Sequence, residues 1–231
     1  MCGICGVVHC DQEYPVSEHR LLAMRDTLTH RGPDDAGHYL APGVALGSRR
    51  LAILDLSERG HMPMSTADGR YWITYNGEVY NYQELRSTLK TRGYTFRSNT
   101  DTEVVLYLYI DRGPAMLDQL NGMFALAIWD SQERTLFLAR DRLGVKPLYY
   151  AYQAGTFYFA SEEKALFTAG IPVQFDPNTW EELVCFRYVA GEQTPFVGVR
   201  RLLPGHYLLW KDGNMQIRRW WHVAEQAQVL R

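Results

Sequence analysis

Between residues 123 and 160 four short runs of aromatic and β-branched residues follow one another: Met123 to Trp129, Thr135 to Arg140, Leu148 to Tyr152 and Thr156 to Ala160. Polar or glycine-containing turns separate them, which is the pattern of antiparallel hairpins. A further pair, His206 to Trp210 and Met215 to Trp220, flanks Lys211-Asp212-Gly213-Asn214. Asp-Gly between two such runs is a strong hairpin signal. Ile4 to His9, Val44 to Ile53 and Tyr71 to Asn76 are earlier strand candidates. So many paired strands cannot all cover one face, and two packed sheets with helices outside is the simplest arrangement that buries them.

The helices are fewer. Ser17 to Thr29 places Leu21, Met24 and Leu28 at helical spacing and stops before Gly32-Pro33. Asn81 with Glu84, and Thr100 with Glu103, read as N-caps with an N3 glutamate; Gly93 and Gly113-Pro114 read as stops. Val104 to Ile110 is apolar on all sides, and its capping pair predicts a buried helix. Glu162 to Phe167 and Thr179 to Tyr188 are also helical in pattern. No linker and no repeat divides the chain, so residues 1–231 are expected to form one α+β domain.

Composition excludes more than it identifies. Lys plus Arg is 24 and Asp plus Glu is 26, a net charge of −2, which points neither to nucleic acid nor to a disordered acidic tail. The apolar stretches, such as Phe124 to Trp129, are all far short of the ~20 residues of a membrane span. No basic segment followed by an apolar one opens the chain, so a signal peptide is not expected. Of four cysteines, three fall in the first ten residues, unlike a secreted disulfide framework. A cytoplasmic protein with no nucleic-acid and no membrane partner is the expectation, with Cys185 a buried core residue.

Chemistry concentrates at the start, Met1-Cys2-Gly3-Ile4-Cys5-Gly6. Cysteine is small enough for the initiator methionine to be trimmed. Cys2 would then carry a thiol and an α-amine of pKa about 7.7–8.0 on one residue. A nucleophile beside a tuned base is what acyl transfer from an amide requires. Gly3 keeps the adjacent backbone open to substrate. Two other readings stand beside this one. Cys2 is an ordinary early cysteine, or Cys2-x-x-Cys5 with His9 and Cys10 is a metal or redox cluster. Against the cluster, Cys2 and Cys5 point to opposite faces of a strand, so no metal is assigned.

Six motifs occur in order: Cys2-Gly3-Ile4; His30-Arg31-Gly32-Pro33-Asp34; Arg50-Leu51-Ala52-Ile53; Asn76-Gly77-Glu78-Val79-Tyr80-Asn81; Asn99-Thr100-Asp101-Thr102-Glu103; and Ala139 through Tyr149. Together they resemble the class II glutamine amidotransferase domain of the glutamine-hydrolysing asparagine synthetase family, to about Trp221. The resemblance implies an N-terminal nucleophile hydrolase fold, a four-layer αββα sandwich of two antiparallel sheets between helical layers. It also implies glutamine hydrolysis at Cys2.

L-Glutamine offers an α-carboxylate, an α-ammonium and the reacting amide. Arg50 suits the carboxylate as a bidentate partner, and the resemblance implies that role; otherwise it is a surface salt bridge. Arg49 would face the other way on a strand. The resemblance also implies backbone contacts from Ile53 and Leu54. Asp101 and Glu78 are the candidates for the ammonium. Asp101 could equally serve the helix dipole, and Glu78 could be a solvated carboxylate. Asn76 and Gly77 offer N–H donors for an oxyanion, a use the family makes of this pair; the plain alternative is an Asn-Gly hairpin turn. Arg31 to Asp35 suits a rigid turn lining the pocket and is given no catalytic step. Arg140 to Lys146 has no assigned contact. Of Trp220 and Trp221, one is expected to face outward.

Family members feed ammonia to an ATP-dependent synthetase domain carrying a Ser-Gly-Gly-x-Asp-Ser loop. Neither that motif nor a phosphate loop is present. The expectation is a piece of a longer protein, or a subunit that meets its synthetase in trans. ATP and magnesium are expected only in that synthetase domain, and no cofactor here. A homodimer, a non-aspartate acceptor and a non-catalytic relative of the same fold remain open.

Overall fold

Strict alternation along the strands sorts the apolar residues into three layers. The computed structural model describes residues 1–11 and 13–225. In chain order its strands and helices are β1 (Gly3–His9), α1 (Glu18–Asp26), β2 (Asp35–Ala41), β3 (Val44–Arg50), β4 (Met64–Ser65), β5 (Tyr71–Val79), α2 (Tyr82–Thr91) and α3 (Asp101–Arg112). Then follow β6 (Gly122–Asp130), β7 (Thr135–Arg140), β8 (Tyr149–Gln153), β9 (Thr156–Ala160), α4 (Glu163–Thr168), α5 (Trp180–Phe186), β10 (Val199–Arg201), β11 (His206–Lys211) and β12 (Asn214–Arg219).

Two six-stranded sheets result, ordered β10-β8-β9-β1-β3-β2 and β12-β11-β7-β6-β5-β4. Every strand pair in them is antiparallel. Ile4, Val8 and Leu46 of the first sheet meet Ala127, Trp129, Leu138 and Trp210 of the second in a core between the sheets. The odd residues of β1, Cys5 and Val7, turn outward against Leu21 and Met24 of α1 and Leu166 of α4. On the other side, Ile73, Tyr75 and Leu126 pack under Leu85, Val104 and Leu108 of α2 and α3. Helix, sheet, sheet, helix is the four-layer α+β sandwich expected.

Several local readings change. Asn76-Gly77 closes no hairpin; β5 runs through both residues, with Asn76 opposite Ala125 and Gly77 opposite Phe124 of β6. The long partner strand overrides the turn preference of the dipeptide. β2 was not expected after the Gly-Pro turn, yet it pairs along all of β3 as the sheet edge. Asn81 makes no side-chain cap; its amide instead ties Gln119 and Asn121 together. Thr100 does cap α3 through Glu103 N, while the Glu103 carboxylate turns back to Arg97 N and Ser98 N. Cys185 is exposed, not core, because no residue of α5 is buried.

Candidate active site

Four element ends converge at one edge of the sandwich. Cys2 precedes the first residue of β1, Arg50 ends β3, Asn76-Gly77-Glu78 lies near the end of β5, and Asp101 opens α3. A cavity of about 270 Å³ lies between them. Its walls include the residues expected to act in catalysis or substrate binding: Cys2, Arg50, Ile53, Leu54, Asn76, Gly77, Glu78 and Asp101. Met1, Tyr75, Met123 and Lys146 also line it.

The Cys2 thiol sits against the chain just beyond β3. Leu51 N–H donates to Sγ at 3.4 Å, and the thiol reaches back to the Leu51 carbonyl at 3.7 Å. Burial pushes this thiol up from its ordinary range. The Leu51 N–H, the chain-terminal ammonium and Arg50 oppose that rise, while Asp101 adds to it. The thiolate is therefore costly at rest, and a proton acceptor beside it has work to do.

Asn76 is 1% exposed, and its Nδ2 has no hydrogen-bond partner among the described residues. Buried amide donors are rarely left so. On β5, even residues face the opposite sheet; Thr74 Oγ1 donates across to Gly47 O at 3.3 Å, and Asn76 follows on the same face, lining the cavity that holds Cys2. Gly77 is beside it for steric reasons. A Cβ there would lie 2.6 Å from Met123 O and 2.7 Å from Phe124 Cβ.

Charge is distributed around this pair. Asp101 Oδ2 accepts from Tyr75 Oη at 2.8 Å and Val79 N at 2.9 Å. Burial raises its carboxyl, and those two donors act against the rise. Its place at the head of α3 favours an anion. Glu78 is half-buried on β5. Arg50 is buried, and Nη2 donates to Leu54 O at 2.9 Å and Asp55 O at 2.6 Å. It is no surface salt bridge: Gly60 lies so close that a Cβ there would meet Nη2 at 2.1 Å. Arg49 points away, to Asp26 of α1. Ile53 is 64% exposed on the loop that Arg50 braces, and Leu54 is half-buried. Asp55 Oδ2 accepts from Asn99 N at 2.8 Å, tying that loop to the approach to α3.

A soft nucleophile, an unpartnered amide donor, two cations and two carboxylates in one cavity suit acyl transfer from a small zwitterion. A family model described as a glutamine amidotransferase domain matches residues 1–221. The chain belongs to this family. It is 37% identical over 224 residues to asparagine synthetase [glutamine-hydrolyzing] 1 of Bacillus subtilis, covering 94% of this chain and 35% of that protein. It is 38% identical over 236 residues to asparagine synthetase [glutamine-hydrolyzing] 3 of the same organism, covering 99% and 38%. The chain thus spans little more than a third of the length of these relatives. Among solved structures, the glutamine phosphoribosylpyrophosphate amidotransferase of Bacillus subtilis, complexed with ADP and GMP, superposes with a TM-score of 0.71. That match covers 95% of this chain and 49% of that one at 20% identity, so it speaks for the fold alone.

The amidotransferase domain has a support behind its cysteine that sequence reasoning left without a role. Arg31 Nε donates to the Cys2 carbonyl at 2.9 Å, and Nη1 to Glu162 Oε1 at 2.8 Å. His30 and Lys164 also reach Glu162, at 2.9 and 3.0 Å. Burial alone would raise the Glu162 carboxyl, but Arg31, Lys164 and His30 hold it down at about 2. Asp34 and Asp35, expected at the pocket, line a neighbouring cavity on the far side of Arg50. Only the His-Arg pair at the head of that motif hints at a clamp. A side chain that binds a backbone carbonyl 29 residues away leaves no pattern in the sequence.

The segment after β7 is resolved as an internal brace with one residue at the site. Arg140 donates to the carbonyls of Gly144, Lys146 and Leu202, each at 2.7 Å. Lys146 lines the cavity. Trp220 stacks on Phe124 with the Arg142 guanidinium over its ring. Cys5, offered as a metal-ligand alternative with Cys2, is buried on the outer face under α1. Among the described residues no three His, Cys, Asp or Glu side chains group as metal ligands. Nor, among those residues, is any helix long and apolar enough to cross a membrane.

Proposed function

We propose that this amidotransferase domain hydrolyses L-glutamine to glutamate and ammonia, in the cytoplasm, with Cys2 as nucleophile. The observation that carries the reading is the unpartnered Nδ2 of Asn76 in the same cavity as the Cys2 thiol. A buried donor left vacant at a cavity wall is available to a ligand atom.

Arg50 takes the α-carboxylate, with the chain at Ile53 and Leu54 closing over it. Asp101 and Glu78 take the α-ammonium. Removal of Met1 frees the Cys2 α-amine and clears a residue that otherwise lines the cavity. The amine accepts the thiol proton as sulfur attacks the amide carbon. Negative charge on oxygen falls to Asn76 Nδ2 and the Gly77 N–H. Collapse breaks the C–N bond, and the amine hands its proton to the departing ammonia. Water then attacks the γ-glutamyl thioester, the amine takes its proton, and glutamate leaves with the thiol restored. No step in this half-reaction uses ATP or magnesium.

The relatives' names and lengths extend the proposal. The ammonia supplies an ATP-dependent synthetase domain, in the same chain or in a partner, that amidates aspartate or a similar carboxylate. ATP and magnesium belong to that domain.

Purified protein lacking Met1 is expected to release ammonia from L-glutamine without ATP or magnesium. A glutamine-analogue electrophile is expected to add one adduct, localised to Cys2 by peptide mass spectrometry. Absence of both, with the fold intact by circular dichroism, overturns the reading.

A further inference from the structure

Lys146 is a cation in the cavity wall that the scheme above leaves unused. It is 6% exposed, yet its hydrogen bonds among the described residues run through its backbone alone. Lys164 and Lys211 pair with Glu162 and Glu133; among the described residues Lys146 has no such carboxylate. A lysine so largely enclosed is normally paired.

Its location is fixed by Asp141. The Asp141 carboxylate is 1% exposed and spends its oxygens on four backbone N–H groups. Leu143 N and Val145 N donate to Oδ1; Lys146 N and Phe124 N donate to Oδ2, at 3.0 and 3.2 Å. Phe124 is the cross-strand partner of Gly77. Lys146 is therefore bolted beside the strand that pairs with Gly77, and it lines the same cavity as Cys2 and Asn76.

Charge matching then names a ligand. Resting on the glutaminase reading, Arg50 is taken by the α-carboxylate, and Glu78 and Asp101 by the α-ammonium. The side-chain end of glutamine is neutral and asks nothing of Lys146. The side-chain end of the product is a carboxylate. We propose that Lys146 is the binding residue for the γ-carboxylate of glutamate, so that the site holds its product in preference to its substrate and glutamate competes with glutamine.

The experiment is calorimetric titration of L-glutamate and L-glutamine into the Cys2→Ala chain, where turnover is absent, with and without Lys146→Met. Lys146→Gln serves as a second neutral variant and Lys146→Arg keeps the charge. The ratio of glutamate to glutamine affinity is expected to fall about tenfold or more in the neutral variants, and to survive largely in Lys146→Arg. A structural disturbance would weaken both ligands alike and leave the ratio in place. A ratio unmoved by the neutral variants, in a chain that binds glutamine, overturns the Lys146 assignment alone. A chain that binds neither amino acid overturns the glutaminase reading and this one with it.

Discussion

Cys2→Ala is expected to abolish glutamine hydrolysis while glutamine still binds. Removing a nucleophile that acts with its base as a unit costs roughly 10⁴-fold or more in turnover. Here base and nucleophile share one residue, and the substitution removes the sulfur while leaving the amine with no thiol to serve. Binding survives because its groups lie elsewhere. Arg50 is held by the carbonyls of Leu54 and Asp55, and Asp101 by Tyr75 and Val79. Arg31 keeps its grip as well, since it holds the Cys2 carbonyl and not the thiol. Steady-state ammonia release and calorimetric glutamine binding on the same sample check both halves. Hydrolysis that persists, or binding that disappears with it, contradicts the assignment.

The second large effect is at Asn76. Asn76→Ala removes one oxyanion donor and is expected to lower kcat by roughly 10²–10³, about 2.7–4 kcal/mol of transition-state stabilisation. KM should move little, because this donor matters most when charge is on the oxygen. A distinctive consequence concerns stability. Truncating a buried asparagine usually strands its former partners. Nδ2 of Asn76 has none among the described residues, so the thermal midpoint should hold nearly constant while turnover collapses. Loss of stability in step with loss of rate would instead make Asn76 a structural residue.

How far the chain could be read without coordinates depended on what kind of contact each residue makes. Alternation along β1 separates Cys2 from Cys5, and the fold does so, with Cys5 buried under α1. Arg49 and Arg50 divide between Asp26 and the cavity for the same reason. Period-two arguments work because they need only the strand itself. Asn76-Gly77 was ambiguous because the dipeptide's local preference is a turn, and only pairing with β6 decides for strand. Arg31 and Lys146 were illegible for a third reason. The first binds a backbone carbonyl, and the second is placed by a buried aspartate that organises four amides. Such positions are products of tertiary structure and leave no periodicity. Cys185 was misjudged because α5, rich in Trp180, Val184 and Phe186, exposes all three.

The central claim is that one terminal residue supplies both the sulfur that is acylated and the nitrogen that carries its proton. Met1 in place turns that nitrogen into an amide with no basic lone pair. The direct test is to prepare the protein with Met1 retained and with Met1 removed, verify each by intact mass, and compare their rates of ammonia release from L-glutamine. Hydrolysis confined to the trimmed form, rising in proportion to the trimmed fraction in mixtures, is the result predicted. Equal rates from chains that keep Met1 would contradict it.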